Sequence, residues 1–312
     1  MSIRKVSTVG MSREEWLNIR KGSIGGSDAA AIVGLNSYSS AYSVWAEKRG
    51  LLPEKDDNEA MRQGRDLEEY VARRFEESSG KKVRRCNAVI YNDDYPFAHA
   101  NIDRDIVGED AGLECKTTSA LNMSRFAGGE YPANYYVQCQ HYLAVTGKKK
   151  WYLAVLVLGR EFMVFEIERD DDEIKALMDA ERELWDCVMS GEHPAVDGSK
   201  ATSDAIKAVY SDSHPGTIDL FSRDTVIDEI MAIRQQIKEL EQLQEERENI
   251  IKADLGSYES GTTDKFNVSW KQQTRRSFDV KRFAEVNPEI NLAPYYNETA
   301  FRKFDIRKKK GA

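Results

Sequence analysis

Between Asn101 and Lys116 the chain reads Asn-Ile-Asp-Arg-Asp-Ile-Val-Gly-Glu-Asp-Ala-Gly-Leu-Glu-Cys-Lys. Two strand-like runs flank the four residues Gly108 to Ala111, which make a hairpin turn. Strand side chains alternate between faces, so Glu114 and Lys116 project on the same side. If Val107 pairs with Gly112 across the turn, Asp105 faces Glu114 and Asp103 faces Lys116. Two or three carboxylates and one lysine then converge on one face. Such a group repels itself unless protons or cations intervene, and hard oxygen ligands select Mg²⁺ or Mn²⁺. An adjacent lysine suits a site that acidifies a bound water or steadies developing phosphoryl charge. Taken alone, the pattern also fits a charged hairpin that simply faces solvent.

Around this hairpin, helical and extended patterns alternate. Ser12 with Glu15 makes a capping box ahead of Trp16, Leu17 and Ile19. The run Arg20-Lys-Gly-Ser-Ile-Gly-Gly-Ser-Asp28 then opens a short Ala-rich helix ending near Gly34. Ser27 reads as its N-cap, and Gly25–Gly26 let the backbone approach a ligand closely. Further helices are predicted over 41–50, 59–79, 133–145 and 171–189. Strands are predicted over 82–91, 97–107, 112–118, 151–158 and 161–167. These elements make residues 1–195 a mixed α/β body. Residues 196–220 read as a linker and 221–256 as a helical arm, where Val226, Ile230, Ile233, Ile237 and Leu240 form a heptad seam. Residues 257–312 read as a small β-containing module with interleaved basic and aromatic side chains, able to grip DNA or a protein partner.

Charge is divided in the same way. The 312 residues carry a formal net charge of −8, yet from Lys265 onward 12 Lys/Arg face 5 Asp/Glu. That is a local +7, which leaves −15 on the first 264 residues. An acidic body that handles DNA needs metal ions or local basic strips to tolerate phosphates. No apolar run approaches the ~18 residues of a membrane span, and the N-terminus lacks an apolar signal stretch. A membrane or secreted protein is therefore not expected, and a cytoplasmic one is. Four cysteines with no CxxC spacing predict reduced thiols, neither a zinc site nor an iron–sulfur cluster.

Two more features bear on the hairpin. In the 59–79 helix Gly64, Glu68, Val71 and Phe75 share one inward stripe, and a carboxylate there is costly unless partnered. Arg65 or Arg73 could serve as a local partner. On the 133–145 helix Gln138 and Tyr142 lie one turn apart. In chain order the motifs are Arg20…Ile24-Gly-Gly-Ser27-Asp28, Gly64-Arg-Asp-Leu-Glu68, Asn101-Ile-Asp103, Gly112-Leu-Glu114-Cys-Lys116 and Gln138-Cys-Gln-His-Tyr142. Together they resemble the PD-(D/E)xK nuclease pattern of the phage lambda exonuclease and YqaJ-type viral recombinase family, over about residues 10–195. Three positions depart from it. Ile102 replaces the proline of the pattern, Arg104 stands where many relatives have glycine, and Cys115 fills the variable place.

The resemblance implies a restriction-endonuclease-like α/β fold, with a mixed central sheet flanked by helices. It implies that Asp103, Glu114 and the Cys115 carbonyl hold Mg²⁺, for which Mn²⁺ substitutes, and that Glu68 helps hold a second ion. Lys116 would orient or activate the attacking water, Gln138 would position lysine and water, and Arg20 and Ser27 would hold a 5′-phosphate. The implied activity is 5′→3′ exonucleolysis of one strand of linear double-stranded DNA, leaving 3′ single-stranded tails for phage-type recombination. A ring-shaped homotrimer and a single-strand annealing protein as partner are implied as well. A structure-dependent endonuclease or nickase of the same fold is an alternative. A non-catalytic DNA-binding assembly factor is another, against which the intact acid–acid–lysine set weighs.

Overall fold

A computed structural model describes residues 2–53 and 57–309 of the chain. Its elements begin with β1 (Ile3–Ser7), α1 (Arg13–Lys21), β2 (Ile24–Gly25), α2 (Gly26–Ile32), α3 (Ala41–Lys48) and α4 (Glu59–Ser79). Strands β3 (Val83–Arg85), β4 (Ala88–Asn92), β5 (Ala98–Ala100), β6 (Arg104–Ile106) and β7 (Ala111–Thr118) come next. After a 3-10 segment at Ala120–Gly129 come α5 (Ala133–Thr146), β8 (Lys150–Val157), β9 (Glu161–Glu168), α6 (Asp171–Ser190) and α7 (Lys200–Val209). These belong to one compact unit that ends at Ser211. A second unit holds α8 (Asp224–Leu255), β10 (Ser260–Thr262), β11 (Asn267–Ser269) and α9 (Val280–Val286). Among the described residues, no helix is long and apolar enough to cross a membrane.

The first unit is built on a five-stranded sheet of order β3-β6-β7-β8-β9. It is mixed, because β7 runs parallel to β8 while the other neighbours are antiparallel. Helix α4 covers one face. The Asn58 side chain caps it by accepting from the Met61 N–H, and Gly80 ends it in the left-handed region at φ 71°. Its stripe of Val71, Ala72 and Phe75 packs on Ile106, Leu113, Tyr152 and Ala154. Helix α5 covers the other face, with Cys139, Leu143 and Ala144 against Trp151, Leu153 and Val155. Covered on both sides, β8 is a nearly unbroken apolar run. Each large side chain so buried contributes roughly 1.5–3 kcal/mol. The mixed α/β architecture is the one expected.

Several boundaries differ from expectation. The run 82–91 is two strands in different sheets, with β3 beside β6, and β4 in a four-stranded sheet of order β1-β4-β5-β2. The run 97–107 splits in the same way into β5 and β6. The chain thus changes sheets at 101–103, which places Asp103 at a junction rather than inside a strand. Strand β1, not foreseen, pairs along the edge of β4. The expected linker also contains α7, which lies on α3 with Thr202 and Ala205 buried and the Thr202 hydroxyl 2.7 Å from that of Ser40. Its small residues, which looked like linker composition, instead permit close helix packing. The boundary between units is correspondingly at 211/212.

Candidate active site

The hairpin register is two residues away from the expected one. Arg104 pairs with Leu113 and Asp105 with Gly112, so the same register extended by one step sets Asp103 opposite Glu114. The expected pairs Asp105/Glu114 and Asp103/Lys116 do not form. The physical reason lies in the core: Ile106 and Ala111 are both buried in the α4 cluster, whereas Val107 is 55% exposed and belongs to the turn. An even shift leaves every side chain on its predicted face. Glu114 and Lys116 therefore still share the α5 side, and the correction moves Asp103, not Asp105, to the centre.

There the side chains close into a compact polar group. Lys116 Nζ lies 2.6 Å from Glu114 Oε1 and donates to Gln138 Oε1 at 2.9 Å. The Gln138 amide Nε2 donates to Glu114 Oε1 and to the Tyr142 hydroxyl, each at 2.8 Å. Asp103 Oδ2 accepts from the Cys115 backbone N–H at 2.7 Å, which pins the junction to β7. Among the described residues, Glu114 Oε2 is buried without a hydrogen-bond partner. Burial, with Glu114 and Glu68 nearby, raises the Asp103 carboxyl well above the usual range. Burial opposes the charge on Lys116, but its hydrogen bond and attraction to Glu114, with Asp103 nearby, together hold the ammonium above its ordinary value. Two close carboxylates, one oxygen of which lacks a donor, make an oxygen donor set suited to a hard divalent cation. The carboxylates do not suffice alone: no group of three His, Cys, Asp or Glu side chains among the described residues could hold a metal ion. A backbone carbonyl, water or substrate oxygen has to complete any such shell.

Glu68 sits at the rim of this group, ion-paired with the buried Arg104 and not with Arg65 or Arg73. Asp105 turns elsewhere, to Lys148 at 3.2 Å and Arg84 at 3.7 Å.

Arg20 and Ser27 lie outside this hydrogen-bonded group, in a small cleft that Tyr142 also lines, together with Trp16, Gly25, Gly26, His99 and Asn101. Arg20 Nη2 stands 3.5 Å from the Ser27 hydroxyl. Ser27 is not the helix cap. Gly25 is the N-cap residue of α2, and Asp28 Oδ2 accepts from its backbone N–H at 3.0 Å. The Ser27 side chain is thereby left exposed. Asp28, which would repel an anion, is buried against Lys48 Nζ at 2.6 Å. Although burial pushes its pKa upward, Lys48 and Gly25 bring it below the ordinary value. Gly26 is required by close approach, since a Cβ there would stand 2.6 Å from the Tyr142 ring. Lys48 was not foreseen; a lysine on a buried helix face opposite an acid was its only signal. His99 does not join the Asp103 group. It is buried with Nδ1 2.8 Å from the Ser23 hydroxyl, and desolvation lowers its pKa to about 3. His141 is likewise internal, 2.8 Å from Glu181, with neither side chain reaching solvent.

Residues 15–149 match the family of YqaJ-like viral recombinase domains, a span that contains every one of these side chains except Glu181. The uncharacterized protein YqaJ of Bacillus subtilis strain 168 is 41% identical over 303 residues, covering 95% of each chain. Among solved structures, the alkaline exonuclease LHK-Exo of Laribacter hongkongensis is similar with a TM-score of 0.49 and 18% identity, over 57% of this chain and 94% of that one. A phage-related exonuclease from Haemophilus somnus 129PT gives a TM-score of 0.40 and 13% identity, over 56% of this chain and 99% of its own. With its near full-length likeness to YqaJ and its matching domain, the chain belongs to the YqaJ-like viral recombinase family.

Proposed function

We propose that the chain is a metal-dependent 5′→3′ exonuclease that degrades one strand of linear duplex DNA and leaves 3′ single-stranded tails for phage-type recombination. One observation carries this reading: Glu114, Lys116 and Gln138 form one hydrogen-bonded group beside the Asp103 carboxylate, and among the described residues a buried oxygen of Glu114 has no donor. Asp103, Glu114 and the Cys115 carbonyl would hold Mg²⁺, or Mn²⁺ in its place. When bound, such an ion supplies Lewis-acid stabilisation of the phosphoryl oxygens.

The remaining work falls to the chain itself. Lys116 is held as an ammonium by Glu114, so it donates hydrogen bonds to water and phosphoryl oxygens and does not take up a proton. Gln138 uses its N–H groups on Glu114 and Tyr142, which leaves its carbonyl to aim Lys116. Arg20 and Ser27 offer a guanidinium and an exposed hydroxyl to a terminal 5′-phosphate. A phosphate seated there limits attack to strand ends. The same reading includes assembly as a homotrimer and a single-strand annealing protein as partner, both open to light scattering and co-purification.

Time-resolved digestion of linear duplexes labelled separately at each end, with Mg²⁺ and with chelator, tests the reading. Mononucleotides released from 5′ ends, with 3′ tails remaining and no release in chelator, are expected. Nicking of closed circular DNA at low enzyme would favour the endonuclease instead. No release from any linear duplex would make the chain a non-catalytic DNA-binding factor.

A further inference from the structure

We propose that the Arg104 guanidinium takes the place of a second metal ion, so that this site binds one divalent cation where the resemblance implies two. The inference rests on the nuclease reading above. Arg104 projects from β6 on the α4 side and is only 3% exposed. A charge at that depth persists only when its hydrogen bonds are made. All of its partners belong to the acidic rim. Nη1 donates to Glu68 Oε1 and, at 2.7 Å, to the Asp103 backbone carbonyl, while Nη2 donates to Glu69 Oε2 at 3.0 Å. Glu69 is in turn held by Arg85 at 2.6 Å.

Arg104 thus joins the carboxylate assigned to a second ion to the backbone of the residue that would hold the first. Unlike a bound ion, a guanidinium tethered to β6 cannot dissociate, and it cannot lose its proton. Charge counting agrees. With every carboxylate ionised, Glu68, Glu69, Asp103 and Glu114 bring four negative charges, and Arg85, Arg104 and Lys116 three positive ones. One divalent ion changes the local net from −1 to +1. A second would leave +3 on this group of close charges before any phosphate arrives, a costly state. Glu68 is on this account a positioning residue for Arg104 and not a metal ligand.

The test counts bound Mn²⁺ on the full-length, chelator-treated protein without DNA, by equilibrium dialysis with electron paramagnetic resonance. Asp103→Asn/Glu114→Gln serves as the blank for sites elsewhere on this acidic chain. The wild type should bind one Mn²⁺ more than the blank, and Glu68→Gln should leave that number unchanged. Arg104→Gln, which frees Glu68, should bind two. Two ions on the wild type, falling to one in Glu68→Gln, would overturn the proposal whether or not Arg104→Gln folds. A single ion retained by a folded Arg104→Gln would overturn it also. No Mn²⁺ above the blank, with hydrolysis persisting in chelator, would remove the metal-dependent reading and the proposal with it.

Discussion

At the residue scale, the polar group around β7 behaves as a unit, because each member orients the next. Asp103→Ala, Glu114→Ala and Lys116→Ala should each lower cleavage by about 10³-fold or more, since removing one part of a cooperating set costs most of the rate. Duplex binding by each folded variant should change little, and full activity in Glu114→Ala or Lys116→Ala would refute the assignment. Asp105→Asn is the control. It weakens the contacts of the buried Asp105 to Lys148 and Arg84 and should cost roughly 1–3 kcal/mol of stability while cleavage stays near wild type. His99 makes a separate prediction about pH. Its folded pKa is about 3 against an ordinary 6.5, so the unfolded chain takes up a proton below 6.5 that the folded chain refuses. The stability from burying neutral His99 is complete above 6.5 and lost on acidification toward 3, by about 1.4 kcal/mol per pH unit at most. Denaturant titrations between pH 7 and 4 should therefore show a shallower decline for His99→Gln than for the wild type. An identical decline would exclude His99 as the titrating group.

At the element scale, α2 and α5 are interlocked where Gly26 meets Tyr142, and this contact links the cleft of Arg20 and Ser27 to Gln138. Arg20→Ala should reduce the preference for 5′-phosphate over 5′-hydroxyl ends without lowering the rate on 5′-hydroxyl ends. An unchanged preference would remove Arg20 from phosphate binding but leave the nuclease standing. Gly26→Ala acts differently, because its Cβ would meet the Tyr142 ring at 2.6 Å and displace the hydroxyl that holds the Gln138 amide. It should lower kcat by roughly 10-fold, the worth of about one hydrogen bond, with KM for duplex ends less affected. A change confined to KM would show that Tyr142 does not act through Gln138.

At the scale of the whole molecule, every side chain of the candidate site lies in the unit ending at Ser211. Along α8 the seam residues Val226, Ile233, Ile237 and Leu240 are exposed, and the +7 segment follows beyond it. Residues 1–211 expressed alone should fold cooperatively and retain Mg²⁺-dependent hydrolysis. Loss of residues 212–312 should weaken docking. If the segment contacts DNA, the salt dependence of binding should flatten; if it docks a protein, only co-purification with the annealing partner should fail. A folded, soluble 1–211 fragment without hydrolysis would show that the second unit takes part in the chemistry.

Local pattern was enough for the elements whose partners are nearby in sequence. The apolar stripe and glycine stop of α4, the alternation in β7 and β9, and the placing of Glu114 and Lys116 on one face follow from periods of 3.6 and 2 that any short window contains. The grouping of Asp103, Glu114, Lys116 and Gln138 came instead from the resemblance of the motifs, in their order, to a known family, and no period contains it. Tertiary packing decided the rest. The hairpin register depends on burying both Ile106 and Ala111 beneath α4, and a window confined to the hairpin contains no α4. The break at 101–103 depends on two sheets meeting, and α7 is held by its contact with α3. The partner of Glu68 was also beyond local reach. Arg65 and Arg73 are neighbours on its own helix, but Arg104 is delivered by β6 from 36 residues away. Contacts between distant segments are selected by the burial they jointly achieve, a property of the folded chain that no single stretch encodes.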